Sequence, residues 1–223
     1  MSIPKIGTAP LWLRTGRVAV AAGAVALLAA CSAVPQKPLT VTRYDLGTLP
    51  PPEAASKAQP TPLVLAVVKG SGIADSGAGM TYRLAYANAY ELRAYAQARW
   101  SQPATQLIQL RMRDALSQQR PVMLDDDGAV QSLQSQSLPA MLRLDVEEFN
   151  QVFDSATASN GVLRLRATLT EMTPRGERWL AQKVFSSQQA AATADASGGA
   201  AAMAAASNDV ARQLDVWLRA QNR

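Results

Sequence analysis

Met141-Leu142-Arg143-Leu144-Asp145-Val146-Glu147-Glu148-Phe149 decides the fold. Leu142, Leu144 and Val146 point one way while Arg143, Asp145 and Glu147 point the other, the pattern of a strand with one dry and one wet face. Glu148-Phe149 shifts the phase, which predicts a β-bulge. Downstream, Asn160-Gly161 carries a hairpin-turn signal, and Leu163, Leu165, Ala167 and Leu169 then alternate with Arg164, Arg166, Thr168 and Thr170. Pro174-Arg175-Gly176 turns the chain again into a strand over 178–187. Three strands in succession make an antiparallel meander with one face in water. Glu147 and Glu148, adjacent in a strand, face opposite sides, so they do not build a paired-carboxylate catalytic site.

Beyond the meander, residues 190–206 are alanine-rich, low in complexity and interrupted by Gly198-Gly199. Met203, Val210, Leu214, Trp217 and Leu218 then recur at helical spacing, predicting an amphipathic helix that packs on the sheet. Upstream, Leu63-Val64-Leu65-Ala66-Val67-Val68 is apolar throughout and reads as a central strand covered on both faces. Val41-Thr42-Arg43-Tyr44-Asp45-Leu46 reads as the first strand, and the proline-rich stretch 49–62 as a surface loop. Gly70-x-Gly72 lacks the third glycine and the following helix of a dinucleotide site.

Two β-like runs, 80–86 and 90–97, flank Ala87-Asn88-Ala89. Tyr82, Leu84 and Tyr86 share one face of the first run; interleaved Tyr and Arg favour cross-strand packing over base stacking. Trp100-Ser101-Gln102-Pro103 then opens a helix with Ser101 as its N-cap, and Ala104, Leu107, Ile108, Met112, Ala115 and Leu116 form its apolar stripe. Asp125-Asp126-Asp127-Gly128 reads as an ordinary turn between two short β-like runs, since the ligand spacing of a calcium loop is missing.

The N-terminus has a different character. Lys5, Arg14 and Arg17 precede an apolar run of 13 residues (18–30) with no acidic residue before Cys31. That length fits a signal peptide, roughly 7–15 residues, and falls short of the roughly 20 needed to span a bilayer. Residues 1–30 are thus expected to be an export leader. The chain's net charge of +5 drops with it: removing three basic residues leaves 19 against 17 acidic, or +2, which gives no support for nucleic-acid binding. Leu28-Ala29-Ala30-Cys31 resembles a bacterial lipobox, and Cys31 is the only cysteine of the 223 residues, so Cys31 is expected to be acylated. By the enterobacterial sorting rule, Ser32 after it implies the outer membrane, at the periplasmic face. Residues 31–39, with Pro35 and Pro38, read as a short tether, and 40–221 as the folded domain. The chain has no histidine, which removes the commonest general base and metal ligand. No cofactor, no metal and no catalytic constellation are expected.

The order of these parts, with Tyr44-Asp45-Leu46, the stretch from Met80-Thr81-Tyr82-Arg83 to Tyr95-Ala96-Gln97-Ala98-Arg99-Trp100, and Pro103 opening a helix, resembles the ABC-type transport auxiliary lipoproteins, the PqiC-like group. The resemblance covers roughly 40–219. It implies an α/β (α+β) sandwich of a mixed, largely antiparallel sheet with two packed helices, like the N-terminal domain of TolB; the residue pattern agrees, with six or seven strands and two helices. It implies a non-catalytic accessory role beside ABC transporters bearing mammalian-cell-entry (MCE) domain proteins, which move phospholipid or other hydrophobic molecules between membranes. The partners so implied are the outer membrane through the acyl chains and an MCE-domain protein; self-association into a homo-oligomer stays open. Tyr82, Arg83, Tyr95, Arg99 and Trp100 carry the recognisable pattern and are the candidate partner-binding residues, with packing as the competing role. A lipoprotein activator of a peptidoglycan synthase, or an assembly factor of another envelope machine, is the alternative.

Overall fold

A 14-residue strand with alternating burial organises the sheet. The computed structural model describes residues 40–49, 51, 61–70, 77–125 and 139–221. The expected leader and tether, Cys31, most of the proline-rich loop, the middle of the glycine loop and residues 126–138 lie outside these residues. The residues from Val41 onward form one compact unit.

The strands are β1 (Thr42–Tyr44), β2 (Leu63–Leu65), β3 (Lys69–Gly70), β4 (Gly79–Leu84), β5 (Leu92–Trp100), β6 (Val122–Leu124), β7 (Ala140–Phe153), β8 (Ser159–Thr173) and β9 (Gly176–Ala190). The helices are α1 (Ala104–Ser117), between β5 and β6, and α2 (Ala196–Ala220) at the end. On one side β7 pairs antiparallel with β8, which pairs antiparallel with β9. On its other side β7 meets β2, β3 and β4 in turn, all parallel. β2 continues to β6 and β4 to β5 and β1, so the sheet is mixed, with most paired residues in the antiparallel β7–β9 meander.

The alternation predicted for β7 is present: Leu142, Leu144 and Val146 are buried, and the register shifts between Val146 and Glu148. β8 buries Leu163, Leu165, Ala167 and Leu169 on the same face, where α2 covers them with Met203, Ala206, Val210, Leu214 and Leu218. Burying a side chain of this size contributes roughly 1.5–3 kcal/mol. α1 joins this layer through Leu107, Ile108, Met112 and Leu116. Two of its polar residues are buried as well: the Val68 N–H donates to Gln109 Oε1 at 3.1 Å, and Arg111 donates to the Gly47 carbonyl at 2.6 Å and to Asn208 Oδ1 of α2 at 3.2 Å.

Five expectations are corrected. Asn160-Gly161 is not the hairpin turn but part of β8; the turn lies at 154–158, where the Ser155 hydroxyl accepts from the Ala158 N–H at 3.1 Å. Gly161 serves close packing instead, since a Cβ there would lie 2.2 Å from the Met203 nitrogen of α2. Ser101 is not the N-cap: its N–H donates to the Tyr44 carbonyl at 2.7 Å, and Pro103 caps α1 without a side-chain hydrogen bond. Trp100 closes β5 rather than opening the helix. The helix begins earlier than its apolar stripe predicts: from Ala196 the alanine-rich segment is already the first half of α2, capped by Asp195, whose Oδ1 accepts from the Gly198 N–H at 2.8 Å. Alanine's helix propensity carries that half, and both glycines sit where a side chain has no room: a Cβ on Gly198 would meet the Thr193 carbonyl at 2.1 Å. The central run from Leu63 is buried and regular only over Leu63–Leu65, after which Ala66 donates to the Leu142 carbonyl and Val67 turns outward.

Candidate functional site

Where β4, β5 and the end of β7 meet the N-terminus of α2, four aromatic and amide side chains come together. Tyr82 of β4 and Tyr95 of β5 lie with ring centroids 4.5 Å apart, and Tyr82 meets Phe153 edge-on at 5.8 Å. The Tyr95 hydroxyl donates to Gln151 Oε1 at 2.8 Å, and Gln151 Nε2 donates to Ser159 Oγ at 2.8 Å. Gln151 is 0% exposed, held on the face that α2 covers, and Gly199 leaves the space its amide fills. With both ends of that amide partnered, the buried polar group avoids the desolvation cost of an unmet one. Tyr82 and Tyr95 remain half-buried, so one side of the pair faces solvent. Burial, then the neighbouring Tyr82, pushes the Tyr95 hydroxyl up to about 12. It is therefore a neutral hydrogen-bond donor at physiological pH.

The other candidates divide. Arg83 reaches across the β4–β5 connection and donates to the Ala89 carbonyl at 2.7 Å, fixing the hairpin. Arg99 folds back on its own strand, donating to the Tyr95 carbonyl and, at 3.0 Å, to that of Ala98. Trp100 is 1% exposed and stacks on Phe149 at 5.2 Å, so it packs the core and presents no surface to a partner. The structure thus gathers Tyr82, Arg83 and Tyr95 at one end of the sheet, with Arg99 and Trp100 farther along β5. Cys31 lies outside the described residues. Gln151 and Ser159 were missed; a glutamine at an inward position between Phe149 and Phe153 was the available signal.

The face away from the helices is polar. Arg164 Nε and Arg166 Nη2 both donate to Glu147, at 2.7 and 2.6 Å, and Arg143 pairs with Glu177. Partial burial pushes Glu147 up, but hydrogen bonds from Arg164 and Arg166 and their charges outweigh it and hold its carboxyl below the usual range. Among the described residues no group of three or more His, Cys, Asp or Glu could hold a metal ion, and no helix is long and apolar enough to cross a membrane. The geometry is an aromatic pair with a braced amide behind it and a clipped hairpin beside it.

Solved structures share this fold. A solved structure of a Xanthomonas campestris protein of the DUF330 family shares the fold at a TM-score of 0.62 and 20% identity, covering 82% of this chain and 96% of that one. A second, uncharacterized protein matches at a TM-score of 0.57 and 13% identity over 80% of this chain and 98% of that one. A search of curated proteins found no match. The model of the family described as ABC-type transport auxiliary lipoprotein component matches residues 44–215, from β1 into the last turns of α2. The chain belongs to the ABC-type transport auxiliary lipoprotein family.

Proposed function

We propose that this chain is the membrane-held docking subunit of an MCE-type ABC transport system. Acyl chains on Cys31 hold it at the periplasmic face of the outer membrane, and its folded domain receives the distal end of the conduit that carries phospholipid or another hydrophobic molecule. The observation that carries this reading is the family match across nearly the whole folded domain, 44–215. The geometry supports binding over chemistry: the half-exposed Tyr82–Tyr95 pair stands on a braced floor, with Arg83 beside it and Arg99 along the strand. Aromatic and arginine side chains held in place this way suit protein contacts, because little rotamer freedom remains to be lost on binding. Two or three acyl chains, at about 0.8 kcal/mol per buried CH₂, suffice for attachment without a spanning helix.

Affinity capture from solubilised envelopes, at native expression, tests the partner. An MCE-domain protein, a permease and an ATPase are expected together; recovery of a peptidoglycan synthase in their place would favour the activator reading. Radioactive palmitate tests the anchor: wild type takes up label and Cys31→Ser does not, whereas equal labelling removes the anchor.

A further inference from the structure

The β4–β5 turn is an uncharged surface that carries exposed aromatic side chains. Seven consecutive residues, Leu84-Ala85-Tyr86-Ala87-Asn88-Ala89-Tyr90, carry no charge. Tyr90 is 96% exposed and Tyr86 52%, so both aromatic rings are left in water by the fold. The backbone beneath them is nonetheless closed. Ala87 and Asn88 N–H groups donate to the Leu84 carbonyl at 3.0 and 2.8 Å, and the Tyr90 N–H donates to Asn88 Oδ1 at 3.0 Å. Arg83 clips the turn from one side, and on the other Arg93 pairs with Glu91 at 2.7 Å. Other charges at this end are internally engaged: Asp154 accepts from the Asn160 amide, and Asp195 caps α2. A tyrosine with an apolar ring and a polar tip, raised on an uncharged and pre-formed turn, is the side chain favoured at a membrane–water interface.

Chain direction says which end can meet a membrane. β1 is parallel to β5, with Thr42 opposite Ala98, and β5 runs away from the turn, so the first residue of β1 faces the turn end. Thr42 stands six residues along β5 from Leu92, about 20 Å at strand rise. Eleven residues separate Cys31 from Thr42, a reach of at most about 40 Å. That covers the distance past the turn. The opposite end of β7 lies farther off, about 30 Å from Thr42 at strand rise, and to reach it the chain would have to reverse its direction at Thr42.

We propose that the β4–β5 turn is a membrane-contact site, in which Tyr86 and Tyr90 enter the headgroup region of the bilayer that holds the acyl anchor. This rests on the acyl-anchor reading above. The bilayer is the occupant, and the contact fixes the domain's orientation: the turn faces lipid while the C-terminal half of α2 points away from it.

The test uses the full acylated chain in vesicles of phosphatidylethanolamine and phosphatidylglycerol. Cys31 is the only cysteine and acylation consumes its thiol, so Tyr90→Cys and, separately, Val216→Cys each supply one labelling site; Val216 is exposed on the far half of α2. Each is labelled with a polarity-sensitive fluorophore and quenched with nitroxide-bearing lipid. Quenching several-fold stronger at 90 than at 216, with a blue-shifted emission at 90, is the expected result. Protein that floats with the vesicles but is quenched equally at both positions overturns the turn proposal alone. Protein that does not float overturns the anchor, and the proposal with it. Circular dichroism of each labelled variant confirms that the comparison is between folded proteins.

Discussion

Gly161 shows how one residue serves the packing of two layers. It lies within β8, and the backbone of α2 passes so close that a Cβ would sit 2.2 Å from the Met203 nitrogen and 2.4 Å from the Ala202 carbonyl carbon. Neither atom can move without moving the helix, so Gly161→Ala is expected to cost at least about 1–3 kcal/mol in urea unfolding, as overpacked cores do. Gly79→Ala, with nothing within 4 Å of its would-be Cβ, is the control and should fall well below that. In the sequence the same glycine, following Asn160, had every mark of a turn, because local turn chemistry and a close interlayer approach select the same residue. Tyr95 gives a second test. Tyr95→Phe removes the donor to Gln151 Oε1 and leaves a buried acceptor unmet, at a cost of about 1–3 kcal/mol. Its hydroxyl is raised from 10.0 to about 12 in the folded state, so the neutral form is the one the fold favours. That contribution is complete below pH 10 and lost as pH rises towards 12. Urea midpoints measured across this window should fall more steeply for wild type than for Tyr95→Phe.

At the scale of elements, legibility followed the contrast between the two faces. β7, β8 and β9 were readable because one face is packed by α2 and the other carries Arg143, Arg164, Arg166 and Glu147. The bulge after Val146 was readable for the same reason, since an extra residue must break the alternation. β3, two residues long and held only by its parallel partner, has no period to read. The start of α2 was missed because an alanine run has no polar–apolar contrast, and its placement is decided by partners distant in sequence, Gln151 and Gly161. The cap of that helix is testable. The Gly198 N–H, then the Thr193 hydroxyl, hold the Asp195 carboxyl below its ordinary value. The cap therefore stabilises above the ordinary carboxylate range and is lost as pH falls through the lowered folded value. Asp195→Ala should lower the thermal midpoint at neutral pH, while Asp195→Asn, which still accepts the Gly198 N–H, should retain most of it.

At the scale of the whole molecule, the fold class was legible from the meander and two amphipathic helices, and the family match over 44–215 agrees with the resemblance carried by β4 and β5. The candidate site was legible only in part. Tyr82 and Tyr95 were found as a pattern, whereas the floor beneath them, Gln151 and Ser159, needed the register that sets β4 beside the end of β7. Trp100 belonged to the same pattern and proved to be core, since an aromatic at a strand end reads alike whether it packs inward or faces a partner. The proposed docking role turns on what touches the tyrosine pair in the envelope. Photocrosslinking from a benzophenone amino acid at position 82, with position 216 as the exposed reference, measures this directly in intact cells. An adduct with an MCE-domain protein is expected from position 82 and not from position 216. Adducts only with a peptidoglycan synthase, or the same yield of MCE adduct from both positions, would contradict it.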